Sequence, residues 1–533
     1  MASRTRRYFI NAVSLTATAL LMRAVSVIFN IYVSNKAGSE AMGLFSLLGS
    51  IYGFSMTVAM AGINLGTTRL VSDALAKNDT LLAKRYTKRA IAVCTVTGAI
   101  ATVLLLTLAK PLSIKILGDS RAIRPLRVLA ITLIPVAISS CISGYFTAVR
   151  RVKANASLGV VAQFVKIGAT VLLLSYFVDL GTEQACVALV GGGAIAEFFS
   201  LAVTYILYRI DRRKLNTPTS ASHATKDSLI KNLLSITLPV TFSACIRAAL
   251  SMFQHILIPK GIHKSGKSWS AALSSYGALH GMALPILLFP SAFTYAFSGL
   301  LIPEISECCA QKDITRLRRT SYRALSLSLF FSIGAAGIML FFSHELGMTV
   351  YNNEETAMYI RVLAPLIPVM YIDSAVDAIL KGSGHQVYSM NVNIADTLTA
   401  CIFALTLIPK MGIWGYVISI YATEILNTTL SLIKMITVSH IRPRIFKQVI
   451  MPILCIIGST NLSRLILAPL PIKNGIVKLT AGIILSISLY IALLFLTHTV
   501  TGEEKEFLNA SLLSEKQYNS KYGLNKGQKS KHI

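Results

Sequence analysis

The chain has 533 residues, of which 54% are apolar and only 14% charged. A soluble domain carries about 25% charged residues, so this composition excludes a large soluble core and describes an integral membrane protein. The net charge of +28 does not signal nucleic acid, because most basic residues lie in short gaps between apolar runs, which is the pattern of membrane topology.

Segments long enough to cross a bilayer, about 20 residues each, fall at 8–34, 40–67, 90–109, 125–148, 156–178, 184–208, 233–258, 271–302, 324–343, 358–380, 388–409, 412–438, 446–468 and 475–499. The expected fold is therefore all-α, with about fourteen transmembrane helices. The first run continues from the basic Arg4, Arg6 and Arg7 through Arg23 to Val33. That is longer than a signal-peptide core of about 7–15 residues, so it reads as a retained helix. With the N-terminus inside, two thirds of the 51 basic residues fall in inside gaps, so both termini are expected in the cytoplasm. The gap 110–127, with five basic residues on the outside, breaks this rule.

The first helix presents Thr16, Ala19, Arg23, Ser26 and Asn30 as a small and polar stripe on an apolar rod. A shift of 224 lays Arg247 on Arg23, Phe253 on Phe29, Gln254 on Asn30 and Lys260 on Lys36. A shift of 234 lays Asp313, Arg319 and Arg323 on Asp79, Arg85 and Arg89, and Arg361-Val-Leu-Ala364 on Arg127-Val-Leu-Ala130. A shift of 227 lays Glu424 on Glu197. The repeat unit is six helices, so the two copies run in parallel, related by an axis along the membrane normal. The expected organisation is an N-terminal six-helix lobe at 1–208, a basic cytoplasmic linker at 209–232, and a C-terminal six-helix lobe at 233–439. Two additional helices at 446–499 and a polar, basic tail at 500–533 complete it.

Six ionisable residues lie near mid-depth of their spans: Arg23, Lys166, Glu197, Arg247, Asp396 and Glu424. A charge at the bilayer centre costs about 2.5–3.5 kcal/mol on insertion scales, so each should face a cavity or a partner. With Ser26, Asn30 and Gln254 they form a candidate polar cavity, in which Arg23 and Arg247 are expected to grip phosphate through the bidentate guanidinium fork. The competing structural reading pairs Arg23 with Glu197 and Arg247 with Glu424, and Lys166 with Asp396. His255, His280 and His385 are isolated in sequence and read more simply as satisfied helix histidines than as a proton relay. Pro285 and Pro290 in the eighth segment suit a bend, and are the expected hinge. The triple glycine at 191–193 reads as close helix packing.

No nucleotide-binding loop, nucleophile elbow or metal spacing is present, so neither an enzyme nor a metal or cofactor site is expected. Any uphill transport would draw on a Na+ or H+ gradient or on the membrane potential.

Residues 29–45 (FNIYVSNKAGSEAMGLF), 69–72 (RLVS), 288–292 (LFPSA), 303–307 (PEISE) and 379–386 (ILKGSGHQ) resemble the stage V sporulation protein B branch of polysaccharide transporters. That branch belongs to the MATE-like superfamily of multidrug extruders, O-antigen flippases and the lipid II flippase. The resemblance covers about residues 5–500. It implies two lobes around a central cavity, alternating access, a bacterial plasma membrane, and passage of undecaprenyl-pyrophosphate-linked sugars from the inner to the outer leaflet. It also implies membrane lipids and cell-wall synthesis enzymes as partners, with no nucleic acid, and a role for Arg23 and Arg247 at the pyrophosphate. The sequence departs from the lipid II flippase in its second helix, where 41–68 carries no charge, and in its eighth, which offers only His280.

Two readings follow. One is a flippase for a lipid-linked oligosaccharide or a lipid II-like peptidoglycan precursor, in spore cortex or cell-wall synthesis. The alternative is an ion-coupled multidrug or cation antiporter, whose cavity would be net acidic. A non-transporting scaffold would leave the intramembrane charges unexplained.

Overall fold

A computed structural model describes residues 2–499 except 61, 78, 215–225, 442–443, 470–474 and 498, and the side chains of 2–17, 19, 152–156, 214 and 226–228 are likewise not described. The expected tail at 500–533 and about half of the linker at 209–232 lie outside these residues. Among the described residues every regular element is a helix. That is the expected outcome for apolar runs in lipid, where each backbone polar group must be satisfied within its own segment.

In chain order the helices are α1 (Ala2–Met60), α2 (Ile63–Ala76), α3 (Thr80–Pro111), α4 (Ile123–Ala148), α5 (Val152–Phe177), α6 (Thr182–Lys214), α7 (Lys226–Lys264), α8 (Trp269–Tyr276) and α9 (Leu284–Leu287). They continue as α10 (Ser291–Ala310), α11 (Ile314–Phe341), α12 (Ser343–Glu345), α13 (Glu354–Leu363), α14 (Ile367–Gly382), α15 (Gln386–Thr406), α16 (Ile408–Met411), α17 (Ile413–Ser439), α18 (Met451–Leu467) and α19 (Gly475–Leu496).

Eleven helices among the described residues are long and apolar enough to cross a membrane, or up to twelve when the broken pair Trp269–Leu287 and Ser291–Ala310 counts as one span. The chain is a multi-pass membrane protein, and the count of fourteen is not reproduced. The expected segment 40–67, and 8–34 from residue 20 onward, fall within one 57-residue span, Leu20–Ala76. At 1.5 Å per residue that span is about 85 Å long, against a hydrocarbon core of about 30 Å. It is broken at Gly38, whose φ of 81° and ψ of 169° are non-helical and in a region that a β-carbon disfavours. The expected segment 388–409 coincides with α15, which is not among the eleven.

The chain divides into two compact units, Met1–Phe289 with Ile394–Thr423, and Pro290–Asn393 with Glu424–Ile533. In the first unit the core is built on Leu44, Leu47, Leu48 and Ile51 of α1 and on Leu126, Leu133, Tyr145 and Phe146 of α4. Apolar side chains such as Val103, Phe164, Leu172 and Phe198 stay exposed, as a lipid-facing surface requires. α5 and α6 pack closely at the triple glycine: a β-carbon on Gly192 would lie 2.0 Å from the Thr170 hydroxyl. α1 and α8 also cross at close range. A β-carbon on Gly277 would lie 1.9 Å from the Ser39 carbonyl oxygen, and one on Gly43 would lie 2.1 Å from the Leu273 carbonyl oxygen. Only glycine lets these two backbones meet.

In the second unit α11 is buried along most of its length. It packs on α18 and α19, where the Tyr490 hydroxyl donates to the Phe330 carbonyl at 2.8 Å. The Gln448 amide donates to the Ser326 hydroxyl at 2.6 Å.

The internal repeat recurs in backbone geometry at the shift of 234. Asp79 caps α3 through the Leu82 amide at 2.8 Å, and Asp313 caps α11 through the Arg316 amide at 2.9 Å. A π-helix at Leu112–Leu117 matches one at Leu346–Val350. Each is followed by a residue with positive φ, Gly118 at 76° and Asn352 at 47°. Each then meets a side-chain cap, Asp119 or Asn353, whose amide returns to the π-helix at 3.0 Å (Ser113 carbonyl) and 3.1 Å (Gly347 carbonyl). The turns after α4 and α14 match as well, with positive φ at Arg150 and Gly384.

Candidate functional site

The residues singled out from the sequence divide between the two units. Arg23, Ser26, Asn30, Lys166, Glu197, Arg247, Gln254, Asp396 and Pro285 belong to the first, and Glu424 and Pro290 to the second.

On α1, Arg23, Ser26 and Asn30 repeat at three and four residues and so share a face. The Ser26 hydroxyl donates to the Met22 carbonyl at 2.8 Å and accepts from the Gln163 amide of α5 at 3.2 Å. Arg23 is exposed and forms no ion pair among the described residues. Gln163 is a site residue that sequence reasoning missed. Its signal was its position one helical turn before Lys166, on the same face of α5.

Lys166 lies next along that face, and its electrostatic partner is Glu197 of α6. The Tyr52 hydroxyl, bonded to the Thr132 hydroxyl at 2.7 Å, also feels the Glu197 charge. Among the described residues Glu197 forms no ion pair with Arg23, and the charge that acts on it is that of Lys166. The expected partnership of Lys166 with Asp396 does not form either. Lys166 is nearer in the fold to Glu197 because α5 and α6 pack side by side. Ser26, Gln163, Lys166 and Glu197 make a polar strip from α1 across α5 to α6.

On α7, Arg247 is exposed and Gln254, two turns on, is half-buried. They stand as Arg23 and Asn30 stand on α1, seven residues apart in each copy. Arg247 forms no ion pair among the described residues. Asp396 on α15 is half-buried, with no charged neighbour among the described residues. Pro285 lies in the first turn of α9, and Pro290 is the residue at which the chain enters the second unit. His255 and His280, isolated in sequence, meet face to edge with ring centroids 4.7 Å apart.

The basic gap at 110–127 has a structural account. Arg121 reaches Asp119 at 2.8 Å and Glu40 of α1 at 2.9 Å, while Arg124 faces Glu183 at 3.4 Å. The Trp269 indole donates to Asp119 at 3.0 Å. Two of the five basic residues are thus bound to carboxylates, joining α1, α4, α6 and α8 at one end of the unit. Burial alone would raise the Asp119 carboxyl. The Arg121 side chain and backbone and the Trp269 indole outweigh burial and hold it below the usual carboxylate range. A lowered folded value means that ionised Asp119 stabilises the fold above the ordinary aspartate range of about 3.9, and that this contribution is lost as pH falls through the lowered value. The expected result is a melting-temperature gap between wild type and Asp119→Asn that is widest at neutral pH and narrows below about pH 4. Thermal unfolding in detergent across pH checks it, and a gap independent of pH would reject the assignment.

Comparison with known proteins adds the following. Residues 9–309 match the family described as polysaccharide biosynthesis protein, and residues 268–406 match the family described as MatE. Stage V sporulation protein B of Bacillus subtilis (strain 168) is 27% identical over 435 residues, covering 80% of this chain and 83% of that one. Lipid II flippase MurJ of the same organism is 22% identical over 436 residues, covering 76% and 78%. Among solved structures, an inward closed conformation of lipid II flippase MurJ superposes with a TM-score of 0.64 at 12% identity, over 92% of this chain and 98% of that one. An inward-facing multidrug resistance MATE family transporter of the MOP superfamily gives a TM-score of 0.57 at 15% identity, over 81% and 99%. At these identities the superpositions establish the fold alone.

Proposed function

This chain belongs to the polysaccharide biosynthesis protein family, and from that premise we propose that it is a flippase for an undecaprenyl-pyrophosphate-linked oligosaccharide or peptidoglycan precursor. The cargo crosses from the inner to the outer leaflet by alternating access of the two sequence repeats, with Pro285 and Pro290 as the hinge. The relatives named for stage V sporulation and for lipid II support this reading and suggest a setting in spore cortex or wall synthesis, beside cell-wall enzymes. Both termini are proposed to be cytoplasmic.

The observation that carries the proposal is the pair Arg23 and Arg247. They occupy equivalent positions in the two repeats, both are exposed, and neither forms an ion pair among the described residues. A guanidinium left uncommitted in a membrane-spanning segment is suited to a doubly charged diphosphate. The polar strip formed by Ser26, Gln163 and Lys166 would receive the first polar groups beyond it. The fold likeness is shared by the cation antiporter reading. That reading needs surplus acidic charge, whereas the charge nearest in effect to Glu197 is the positive one of Lys166.

The test is binding by the purified full-length protein in detergent of lipid II, undecaprenyl phosphate and tetraphenylphosphonium. Preference for lipid II is expected. Preference for the lipophilic cation would overturn the proposal in favour of an antiporter, and equal binding of the two lipids would remove the diphosphate from it.

A further inference from the structure

We infer that His255, His280, Tyr276 and Tyr416 form a binding site for a single proton within the membrane-spanning part of the first unit. Four elements bring them together: α7 carries His255, α8 ends on Tyr276, the following π-helix Gly277–Ala283 carries His280, and α17 begins near Tyr416. The two imidazole rings lie 4.7 Å apart at 61°. The Nδ1 of His255 faces the Tyr276 hydroxyl at 3.1 Å, and the Nδ1 of His280 faces the Tyr416 hydroxyl at 3.4 Å. The Tyr276 ring stacks on His280, with centroids 5.2 Å apart and planes within 6°.

This arrangement suits one positive charge and no more. In an imidazolium both ring nitrogens donate, and each ring already has a hydroxyl oxygen placed to accept at Nδ1. The flat aromatic face over His280 favours a cation on that ring. Two imidazolium ions at this separation would repel each other strongly in a medium of low dielectric, so the second ring stays neutral. Binding is the addition of a proton from water to a nitrogen lone pair, which takes the site from neutral to +1. Release is the reverse, and no other bond changes. The tyrosines are sealed, Tyr276 at 0% and Tyr416 at 4% exposure, while both histidines are only half-buried. Helical π-segments recur at functional sites, and here one places the ring.

The surrounding charge is sparse. On α7, Lys260 is half-buried and its charged neighbour is Lys264. α1 contributes Ser39, Met42, Gly43 and Ser46 at the contact, none of which titrates. Lys410 of α16 is exposed, and the Cys401 thiol of α15 is directed to the Leu250 carbonyl of α7 at 3.9 Å. Among the described residues, no carboxylate, including Asp396, acts on either ring. Among the described residues the charge that acts on His280 is that of His255. A proton on His280 sits on the same π-helix whose Gly277 and Gly281 rest on α1, so it bears on the α1–α8 crossing. That this couples proton binding to cargo movement rests on the flippase reading; the proton site itself does not.

The first measurement needs no cargo. Full-length protein carrying 15N-imidazole histidine, held in lipid nanodiscs, is titrated by NMR from pH 4 to 8.5 as wild type, His255→Gln, His280→Gln and Tyr416→Phe. The expected result is one protonation shared by two coupled rings, with either glutamine variant changing the proton affinity of the remaining ring by about tenfold or more. Tyr416→Phe, which keeps the ring and removes only the hydroxyl, shifts the same step if a glutamine variant fails to fold. Two rings that stay neutral throughout, or that titrate independently, would overturn the site. In proteoliposomes, a pH gradient then alters lipid II flipping by wild type and not by His280→Gln. A gradient response that survives His280→Gln would overturn the coupling and leave the proton site standing.

Discussion

In detergent, Arg23→Ala and Arg247→Ala are each expected to bind lipid II about ten- to a hundredfold more weakly than wild type. A hydrogen bond to a charged group is worth about 1.5–3 kcal/mol, and about 1.4 kcal/mol is tenfold in affinity. The loss should appear with the diphosphate lipid and be smaller with undecaprenyl phosphate, which offers fewer oxygens to a planar fork. Arg23→Lys separates charge from geometry. Lysine keeps the charge but cannot hold two phosphate oxygens in one plane, so an intermediate loss is expected. Isothermal titration with the purified variants reads all of these. Unchanged affinity in both alanine variants would take the arginines out of the site, and full affinity in the lysine variant would leave a point charge in place of the fork. Neither arginine forms an ion pair among the described residues, so removing either should not orphan a carboxylate. A binding defect can then be separated from a folding defect by the melting temperature.

The second large effect is expected where two backbones touch. Gly277→Ala places a methyl 1.9 Å from the Ser39 carbonyl oxygen and 2.6 Å from the Gly43 amide nitrogen. Both obstacles are main chain and cannot rotate away, so α1 and α8 must separate. Overpacking typically costs about 1–3 kcal/mol, and a backbone clash belongs at the upper end or beyond. A clear fall in melting temperature is expected for Gly277→Ala and for Gly43→Ala, together with loss of the hydrogen bond between the Ser39 and Ser274 hydroxyls, 2.6 Å long in the native contact. Gly193→Ala is the control. Gly193 lies within α6, and a β-carbon added there would meet nothing within 4 Å, while alanine is favoured over glycine in a helix by about 1 kcal/mol. It should be neutral or stabilising. Equal melting temperatures for the variants and the control would show that the crossing is looser than the contact implies.

Much of this architecture was legible in the sequence, for identifiable reasons. Apolar runs in lipid have no alternative to the helix, so the spans at 90–109 and 125–148 could be placed within α3 and α4 from hydropathy alone. The repeat was legible because Asp79 and Asp313 do the same work, capping α3 and α11, and the same work keeps the same residue. Three things were not legible. Periodicity shows which residues share a face of one helix but not which faces meet, so Lys166 was not assigned to Glu197, nor Gln163 to Ser26. His255 and His280 are 25 positions apart on two helices, and only the return of the chain at 265–268 brings their rings together. The break at Gly38, where φ is 81° and ψ 169°, was not legible either, because hydropathy places apolar runs but not the residue at which the backbone leaves the helix.

The turn that follows each π-helix is built to one pattern and used in two ways. In the second copy the Asn353 side chain accepts the Thr356 amide. In the first, Asp119 caps in the same manner and also binds Arg121 and Trp269. The backbone design needs only an acceptor at this position, and the negative charge is an addition made on one side alone. A protein whose halves descend from one plan is therefore lopsided in its response to acid: protons would slacken the end held by Asp119 and leave the matching corner at Asn353 as it was.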